Sequence, residues 1–215
     1  DVIEILVIDD GSTDRTAEVA KKYGVHHVLS LTNNKGLAKA FYYGLNQALK
    51  LGADIIVNTD ADNQYNAEDI EKLIKPILQE KMDIVIGDRR VETIQHFSPL
   101  KIFLQKVGSW VVRQLSGTQV PDVTSGFRAY SRSAAMQVNV VSDFTYTLET
   151  IISAGNKNLA ITHAPVRTNP KVRESRLFPN IRTYIMRSLV TLIKVYSMYK
   201  PLRVFAIVGG TSFLG

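Results

Sequence analysis

Two carboxylates separated by one residue directly follow an apolar segment in the first third of the chain. Residues 55–57 predict a buried strand, and Asp60 and Asp62 come just past its end. At that position both side chains can face one small site, with the amide oxygen of Gln64 two residues further on. Oxygen ligands of this kind suit Mg²⁺ or Mn²⁺, whose coordination is then completed by substrate phosphates. An Asp-x-Asp turn is also common as a plain solvated loop, so the choice depends on the rest of the chain.

Further charged side chains follow other predicted strands. They are Asp9, Asp10, Asp88, Arg89 and Arg90. In a parallel sheet, ligands bind in the crevice beyond the carboxyl ends of the strands. We therefore expect these side chains to share one edge of a sheet with Asp60 and Asp62. Neither common glycine-rich phosphate loop is present, so a bound nucleotide would need a metal or basic side chains for its diphosphate.

Short apolar strands alternate with helix-length segments along the chain. The strands are predicted at residues 4–8, 25–29, 54–57, 83–87 and 160–165. The helices are predicted at residues 15–23, 36–49, 68–79, 97–118 and 145–154. This alternation predicts an α/β fold with a mostly parallel sheet flanked by helices. The fourth helix is expected to pack in the core through Ile102, Phe103, Val107, Trp110, Val111 and Leu115.

Two polar segments in the second half of the chain carry further candidates. Residues 121–128 form a compact element that is dense in hydrogen-bonding side chains, among them Asp122 and Arg128. Residues 166–177 form a basic loop of a kind that can close over phosphates, although it is equally typical of a solvated charged loop. The cations of this loop are Arg167, Lys171, Arg173 and Arg176.

The composition is that of a folded chain whose basic character lies near the C-terminal end. Of the 215 residues, 45% are hydrophobic and 21% are charged, and the absence of cysteine excludes disulfides and thiolate metal sites. The net charge of +6 divides into −2 for residues 1–164 and +8 for residues 165–215. Such asymmetry suits nucleic acid, an anionic membrane surface or a phosphate-bearing substrate. Nucleic acid is disfavoured because the basic residues accompany apolar segments rather than aromatics spaced for base stacking.

The C-terminal residues combine helical periodicity with an apolar tail. Residues 178–200 place apolar side chains on one helical arc edged by Arg and Lys, which suits either a membrane-interface helix or a surface helix packed on the core. Residues 204–215 carry no charge but are fewer than the about 20 residues that a membrane-spanning helix needs. We interpret residues 201–215 as the start of a transmembrane segment, with Lys200 and Arg203 on its cytoplasmic side.

Three motifs in this order resemble those of glycosyltransferase family 2. They are Asp9-Asp10-Gly11-Ser12-Thr13-Asp14, Asp60-Ala61-Asp62-Asn63-Gln64 and Asp122-Val123-Thr124-Ser125-Gly126-Phe127-Arg128. Within that family the chain resembles the polyprenyl-phosphate hexosyltransferases, the group that includes dolichyl-phosphate mannose synthase. The resemblance implies the GT-A fold, a Rossmann-like sheet with the metal motif at its centre. The first strand of that family would precede Asp1, so we expect the chain to be a fragment.

The resemblance implies an inverting transfer of a hexose from a nucleotide-sugar, of the UDP-glucose or GDP-mannose type, to the phosphate of a polyprenyl lipid. The metal, Mg²⁺ or Mn²⁺, would be held by Asp60, Asp62 and Gln64. The nucleotide-sugar would contact Asp9, Asp10, Asp60, Ala61, Asp62 and Arg89. The catalytic residues would be Asp122, as a base or as a group that orients the sugar, and Arg128. Cations must place the anionic acceptor, and those expected to hold its phosphate are Arg128, Arg167 and Arg176.

These inferences divide the chain into four parts. Residues 1–165 would be the catalytic domain, 166–177 an acceptor loop, 178–200 a juxtamembrane amphipathic helix and 201–215 the start of a membrane span. The expected partners are the nucleotide-sugar, the lipid phosphate and the membrane, with the catalytic domain on the cytoplasmic side, and a homo-oligomer is also allowed. Two alternatives stay open: a family 2 enzyme that glycosylates a polysaccharide or a protein glycan, and a membrane-tethered nucleotide-binding module without catalysis.

Overall fold

A computed structural model of the chain describes residues 3–93, 99–170 and 181–214. Its strands are β1 (Leu6–Asp9), β2 (His27–Ser30), β3 (Ile55–Asn58), β4 (Ile84–Asp88), β5 (Arg128–Ser131) and β6 (Ile161–Pro165). Its helices are α1 (Thr16–Lys22), α2 (Leu37–Lys50), α3 (Ile70–Glu80), α4 (Pro99–Ser116), α5 (Arg132–Gln137), α6 (Thr147–Asn156), α7 (Ile181–Tyr199) and α8 (Pro201–Leu214). Short 3₁₀ helices at Ala67–Asp69 and Val91–Thr93 come after β3 and β4.

The described strands form two sheets, and the predicted α/β fold is confirmed. β1 and β2 pair in parallel, and the larger sheet has the order β3-β5-β4-β6. β4 and β6 are parallel, but β5 runs antiparallel to both β3 and β4, so the larger sheet is mixed rather than mostly parallel. The sequence does not predict β5, because this strand has no apolar run and begins with an arginine.

Helices cover both faces of the larger sheet. On one face, Ile86 of β4 and Tyr130 of β5 belong to the main core, which also includes side chains of α2, α4, α5, α6 and α7. On the other face, Val85 of β4 packs in a second cluster with Leu73 of α3. Successive residues of a strand point to opposite faces. Arg128, two residues before Tyr130, therefore points into the main core.

The contact between α4 and α6 closes one side of that core. Eight successive residues of α6, 147–154, are buried. Just beyond them, Gly155 lies against the end of α4, where an added Cβ would be 2.0 Å from the backbone oxygen of Ser116. A side chain at residue 155 would force the two helices apart, so this glycine is what allows α4 to pack so closely.

The other side of α4 faces outward, which corrects the prediction of a core-packed stripe for three of its residues. Phe103, Val107 and Trp110 are 62%, 41% and 55% exposed. The reason is that α4 borders the core on one side only, where Ser109 and Val112 are buried. Apolar side chains at helical spacing do not by themselves reveal which of two apolar faces is covered.

α7 likewise has two different faces. On one face Leu192 and Val195 are buried against the main core, and the Tyr199 hydroxyl donates to Ser153 Oγ of α6 at 2.7 Å. The opposite face exposes large apolar side chains, namely Ile185, Met186, Leu189, Val190, Ile193 and Met198. Core packing therefore describes one side of this helix, and a membrane-interface role for the exposed side stays a prediction.

α8 continues the apolar surface beyond α7. Leu202 and Phe205 are exposed. No helix in the described part of the chain combines the length and the hydropathy needed to cross a bilayer. The expectation that residues 201–215 begin a membrane span stays a prediction.

Candidate active site at the edge of the larger sheet

Asp60 and Asp62 lie in the turn that follows β3. Asp62 is exposed, and its Oδ1 accepts a hydrogen bond from the backbone N–H of Gln64 at 3.0 Å. Asn63, between them, has a φ of 60°, in the left-handed region that Asn adopts more readily than most residues. This turn holds the second carboxylate of the motif at the surface, where a ligand can reach it.

Asp60 is half-buried, and no donor among the described residues hydrogen-bonds its carboxylate. Burial raises the pKa of Asp60, and the nearby charge of Asp62 raises it further, while the charges of Arg89 and Arg128 act to lower it. A carboxylate that is partly desolvated and lacks hydrogen bonds is costly to keep ionised. A divalent cation would supply the missing positive charge, so these residues fit a metal site.

The protein side of such a site is small. Within residues 3–93, 99–170 and 181–214, no group of three or more His, Cys, Asp and Glu side chains could hold a metal ion. Asp60 and Asp62 would then be the carboxylate ligands, with substrate phosphate and water completing the coordination, as is usual for Mg²⁺. The predicted role of the Gln64 side chain stays a prediction. Its backbone carbonyl accepts a hydrogen bond from the Asn169 N–H at 2.8 Å.

Gly126, in the polar segment, packs closely against the Asp60 carboxylate. A Cβ added to Gly126 would lie 2.6 Å from Asp60 Oδ2 and 3.1 Å from the Tyr146 hydroxyl. The amide of Asn58 donates to the carbonyl of Gly126 and to the Tyr146 hydroxyl, each at 2.8 Å. The Gly126 N–H in turn donates to the Tyr65 hydroxyl at 3.0 Å. Sequence reasoning missed this network, because its members lie far apart in the chain and none is charged.

Asp122 forms a buried ion pair with Arg89. Arg89 Nε donates to Asp122 Oδ2 at 2.6 Å and Nη2 to Oδ1 at 2.9 Å, with a further bond to Thr124 Oγ1 at 2.7 Å. Burial alone would raise the pKa of Asp122, but the Arg89 guanidinium outweighs it and holds this pKa below its usual value. A carboxylate so firmly paired is a weak proton acceptor, so the geometry favours an orienting role for Asp122 over a general base.

Arg128 does not reach the surface, which corrects its predicted role at the acceptor phosphate. Its side chain is fully buried. The guanidinium donates to the carbonyls of Ser125 and Val123 at 2.7 and 2.8 Å and to Thr150 Oγ1 at 2.7 Å. Because it points into the core from β5, it braces the polar segment against α6 and acts on Asp60 only through its charge.

Arg167 forms ion pairs with acidic residues, and its predicted contact with the acceptor phosphate stays a prediction. Its guanidinium pairs with Asp69, which is buried, at 2.8 Å and with Glu68 at 3.0 Å. Hydrogen bonds from Arg167 hold the pKa of Asp69 well below its usual range. Lys72 also pairs with Asp69 at 2.8 Å, so Arg167 could turn to an acceptor phosphate only by giving up its share of this buried carboxylate, which is costly. Arg176 lies outside the described residues.

The start of the basic loop is fastened to the turn that bears the metal motif. Thr168 pairs with Tyr65 as an antiparallel bridge. The side-chain amide of Asn169 donates to the carbonyl of Asn63 at 3.0 Å, and the Asn66 N–H donates to the carbonyl of Arg167 at 3.3 Å. Asn169 is not among the site residues predicted from the sequence, whereas in the structure it supports the carboxylate turn.

Asp9 and Asp10 shape the loops that follow β1. Asp9 is buried, and hydrogen bonds from Ser12 lower its pKa. Asp10 accepts from the backbone N–H groups of Lys35 and Gly36 at 2.7 and 2.9 Å, which ties this loop to the start of α2. Their predicted contacts with a nucleotide stay predictions, as does that of Ala61, which is exposed in the carboxylate turn.

Comparison with known proteins identifies the class to which this fold and site belong. The chain belongs to glycosyl transferase family 2, whose family model matches residues 1–138. It is therefore a glycosyltransferase, and its fold is that of the GT-A enzymes. The structure of glucosyl-3-phosphoglycerate synthase from Mycobacterium tuberculosis, solved with Mn²⁺, UDP and phosphoglyceric acid, is similar with a TM-score of 0.69 and 19% identity, covering 92% of this chain and 68% of that one.

Similar sequences come from archaea and bacteria. An uncharacterised protein of Methanocaldococcus jannaschii is 36% identical over 172 residues, which cover 76% of this chain and 69% of that protein. The UDP-N-acetylglucosamine–dolichyl-phosphate N-acetylglucosaminyltransferase of Methanococcus voltae is 32% identical, with 76% and 74% covered. The polyprenol monophosphomannose synthase of Mycolicibacterium smegmatis is 26% identical, with 76% and 66% covered.

Replacing Gly126 should damage the metal site without unfolding the chain. In Gly126→Ala the new methyl group would displace the Asp60 carboxylate, so the Mn²⁺ concentration for half-maximal turnover should rise about tenfold, equivalent to about 1.4 kcal/mol. Gly108→Ala is the matched control, since its Cβ meets nothing within 4 Å. Unchanged metal dependence in a Gly126→Ala variant of normal thermal stability would contradict this arrangement.

Asp60 should destabilise the metal-free protein at neutral pH. Because its pKa is raised on folding, the penalty is present above the folded pKa and vanishes as the pH falls below the unfolded value. Asp60→Asn should therefore raise the metal-free Tm at pH 7 by about 2–4 °C, the effect of about 1 kcal/mol in a chain of this size. This gain should disappear on acidification.

The control is Asp54→Asn, an exposed carboxylate just before β3, which should show no such gain. In addition, Mn²⁺ should raise the Tm of the unmodified protein more than that of Asp60→Asn. An Asp60→Asn variant that is less stable than the unmodified protein at pH 7 without metal would show that the carboxylate is satisfied in some other way.

Proposed function

We propose that this glycosyltransferase moves a hexose from a nucleotide-sugar to the phosphate of a polyprenyl lipid, with inversion, at a membrane surface. The observation that carries the proposal is the half-buried Asp60 carboxylate, which has no hydrogen-bond donor among the described residues and lies beside Asp62. This is a site for a divalent cation and the diphosphate of a donor. Arg89, which is paired with Asp122, lies close enough to act on Asp60 through its charge.

Around the donor diphosphate, the chain supplies charged side chains that are already held in position. A bound Mg²⁺ or Mn²⁺ would stabilise the charge that develops on the departing nucleoside diphosphate. Asp60 and Asp62 would hold that ion, and Gly126 keeps Asp60 in place. Arg89 is held by Asp122, so its positive charge lies beside the site and does not have to move into position during the reaction. The solved relative with Mn²⁺ and UDP supports a divalent metal by analogy.

On the acceptor side, the chemistry requires placement rather than a strong base. A phosphate acceptor is already anionic, so an in-line position against the sugar is the main requirement. The pairing of Asp122 with Arg89 agrees with this requirement, because it makes the Asp122 carboxylate a weak base. The names of the relatives from Methanococcus voltae and Mycolicibacterium smegmatis, which specify dolichyl-phosphate and polyprenol monophosphate chemistry, support a lipid phosphate acceptor.

The exposed face of α7 supports the membrane part of the proposal. This face is apolar along the helix, and the exposed cations Arg187, Lys194, Lys200 and Arg203 accompany it. Apolar side chains edged by Arg and Lys are typical of helices that lie in the interface of an anionic bilayer. In this orientation Lys200 and Arg203 would mark the cytoplasmic side, where the catalytic residues would also lie.

A direct transfer assay tests the proposed reaction. The chain is mixed with Mn²⁺ or Mg²⁺ and a panel of radiolabelled nucleotide-sugars, with and without undecaprenyl phosphate, and label entering the organic phase is counted. We expect label only when the lipid phosphate and the metal are both present. Asp62→Ala should reduce that transfer at least about a hundredfold, while the exposed Asp54→Ala should leave it unchanged. Donor turnover without lipid labelling would redirect the search to a glycan acceptor.

Charges placed on the exposed face of α7 should weaken membrane binding. Leu189→Asp combined with Ile193→Asp is expected to lower the fraction bound to phosphatidylglycerol-containing vesicles about tenfold or more, because each apolar side chain buried in lipid contributes about 1.5 kcal/mol or more. The measurement is co-sedimentation with vesicles. Leu78→Asp, an exposed leucine on α3, is the control. Unchanged binding would show that the attachment lies elsewhere.

A further inference from the structure

An acceptor phosphate near Asp122 needs cations that are not already committed. Of the arginines expected to hold it, Arg128 is enclosed in the core and Arg167 is paired with Asp69. Arg89 is held bidentately by Asp122 itself. These guanidinium groups could turn to a phosphate only by giving up hydrogen bonds to buried carboxylates or to buried carbonyls, which is costly.

Two cations of α4 do face a cavity beside Asp122. The cavity measures about 270 Å³ and lies between the end of β4, the 3₁₀ helix Val91–Thr93 and α4. Lys106 and Arg113 line it from α4, together with Asp122 and the carboxylates of Asp88 and Glu92. Lys106 and Arg113 are seven residues apart, two helical turns, so both point to the same side of α4.

The existing contacts of these two cations are long. The Lys106 ammonium is 4.0 Å from Glu92, and both side chains are more than half exposed. Arg113 Nη1 donates to the carbonyl of Val120 at 3.4 Å. An exposed ion pair of this kind contributes about 0–1 kcal/mol. A phosphate could therefore displace the Glu92 carboxylate at little cost and gain charge-assisted hydrogen bonds from both cations.

Next to these cations, α4 carries an exposed apolar stripe. Phe103, Val107 and Trp110 follow one another at helical spacing and are each more than 40% exposed. Lys106 lies within one turn of all three. The 18 residues of α4 include no Asp or Glu, so the helix presents apolar and cationic groups without an opposing charge of its own. Its far side is fixed on α6 through Gly155, which makes the stripe a rigid surface.

We propose that α4 is the platform for the acceptor, with Lys106 and Arg113 holding its phosphate and Phe103, Val107 and Trp110 carrying the first part of its isoprenoid chain. This rests on the proposed function, because it assumes a lipid phosphate acceptor. A polyprenyl phosphate matches this surface, because its phosphate is an anion and its isoprenoid chain is apolar. Without an acceptor, the Glu92 carboxylate pairs with Lys106 in place of the phosphate.

Kinetics with two acceptors separate the phosphate contacts from the chain contacts. The long acceptor is undecaprenyl phosphate and the short one is butyl phosphate, with the donor that the transfer assay identifies. Lys106→Gln and Arg113→Gln should each raise KM for both acceptors about tenfold, as expected for loss of a charge-assisted hydrogen bond, and leave the donor KM within about twofold. Lys21→Gln, an exposed cation on α1, should change neither KM.

Glu92→Gln should act in the opposite direction. Removing the carboxylate that competes for Lys106 should lower KM for both acceptors, and a residue with only a structural role would not produce this gain. Phe103→Ser and Trp110→Ser should raise KM for undecaprenyl phosphate about tenfold, with butyl phosphate unaffected. Leu78→Ser is the matched apolar control. Because all these side chains are exposed, thermal melting should confirm that each variant is folded.

The outcomes distinguish this inference from the reaction on which it rests. If the unmodified chain labels no lipid phosphate, the proposed function and the platform both fail. If lipid is labelled but Lys106→Gln and Arg113→Gln keep the acceptor KM of the unmodified chain, the platform alone is wrong. If Trp110→Ser changes the sedimentation coefficient and not KM, the stripe is an interface between two copies, and the assignment to lipid is overturned.

Discussion

The half-buried charge of Asp60 is the constraint around which the site is arranged. Its carboxylate accepts no hydrogen bond from the described residues, and it depends on the charges of Arg89 and Arg128. Each of these arginines is in turn held by residues 122–125, Arg89 by Asp122 and Arg128 by backbone carbonyls. The polar segment before β5 therefore holds two arginine side chains near Asp60. Gly126 determines how closely the Asp60 carboxylate approaches this segment.

Binding of donor and acceptor is divided between different parts of the chain. The carboxylate turn after β3 packs against Gly126 and is hydrogen-bonded by Asn169, at the start of the basic loop. The surface proposed for the acceptor belongs to α4, which is anchored on α6 rather than on the sheet. A change of acceptor preference could thus arise on the exposed side of α4 without disturbing the carboxylates.

The sequence predicted most of the strands and helices and the position of the carboxylate turn, but not the surroundings of its arginines. Apolar runs reveal β3 and β4, and two acids after an apolar run reveal Asp60 and Asp62, because both signals are local. The fate of an arginine depends on partners distant in sequence. Arg128 is buried because it shares a strand face with Tyr130, in a strand too polar to be predicted from its sequence. The exposure of Trp110 likewise depends on which side of α4 meets α6, and periodicity does not contain that information.

The order β3-β5-β4-β6 has a consequence for synthesis on the ribosome. β3 and β4 emerge early, yet they do not pair with each other, because β5 lies between them. β4 gains its second neighbour only when β6 has followed α6 out of the ribosome. Until then the nascent chain exposes open strand edges that can pair with other chains. The residues matched by the family model, 1–138, include neither α6 nor β6. The smallest unit that completes the larger sheet during translation therefore extends to Pro165.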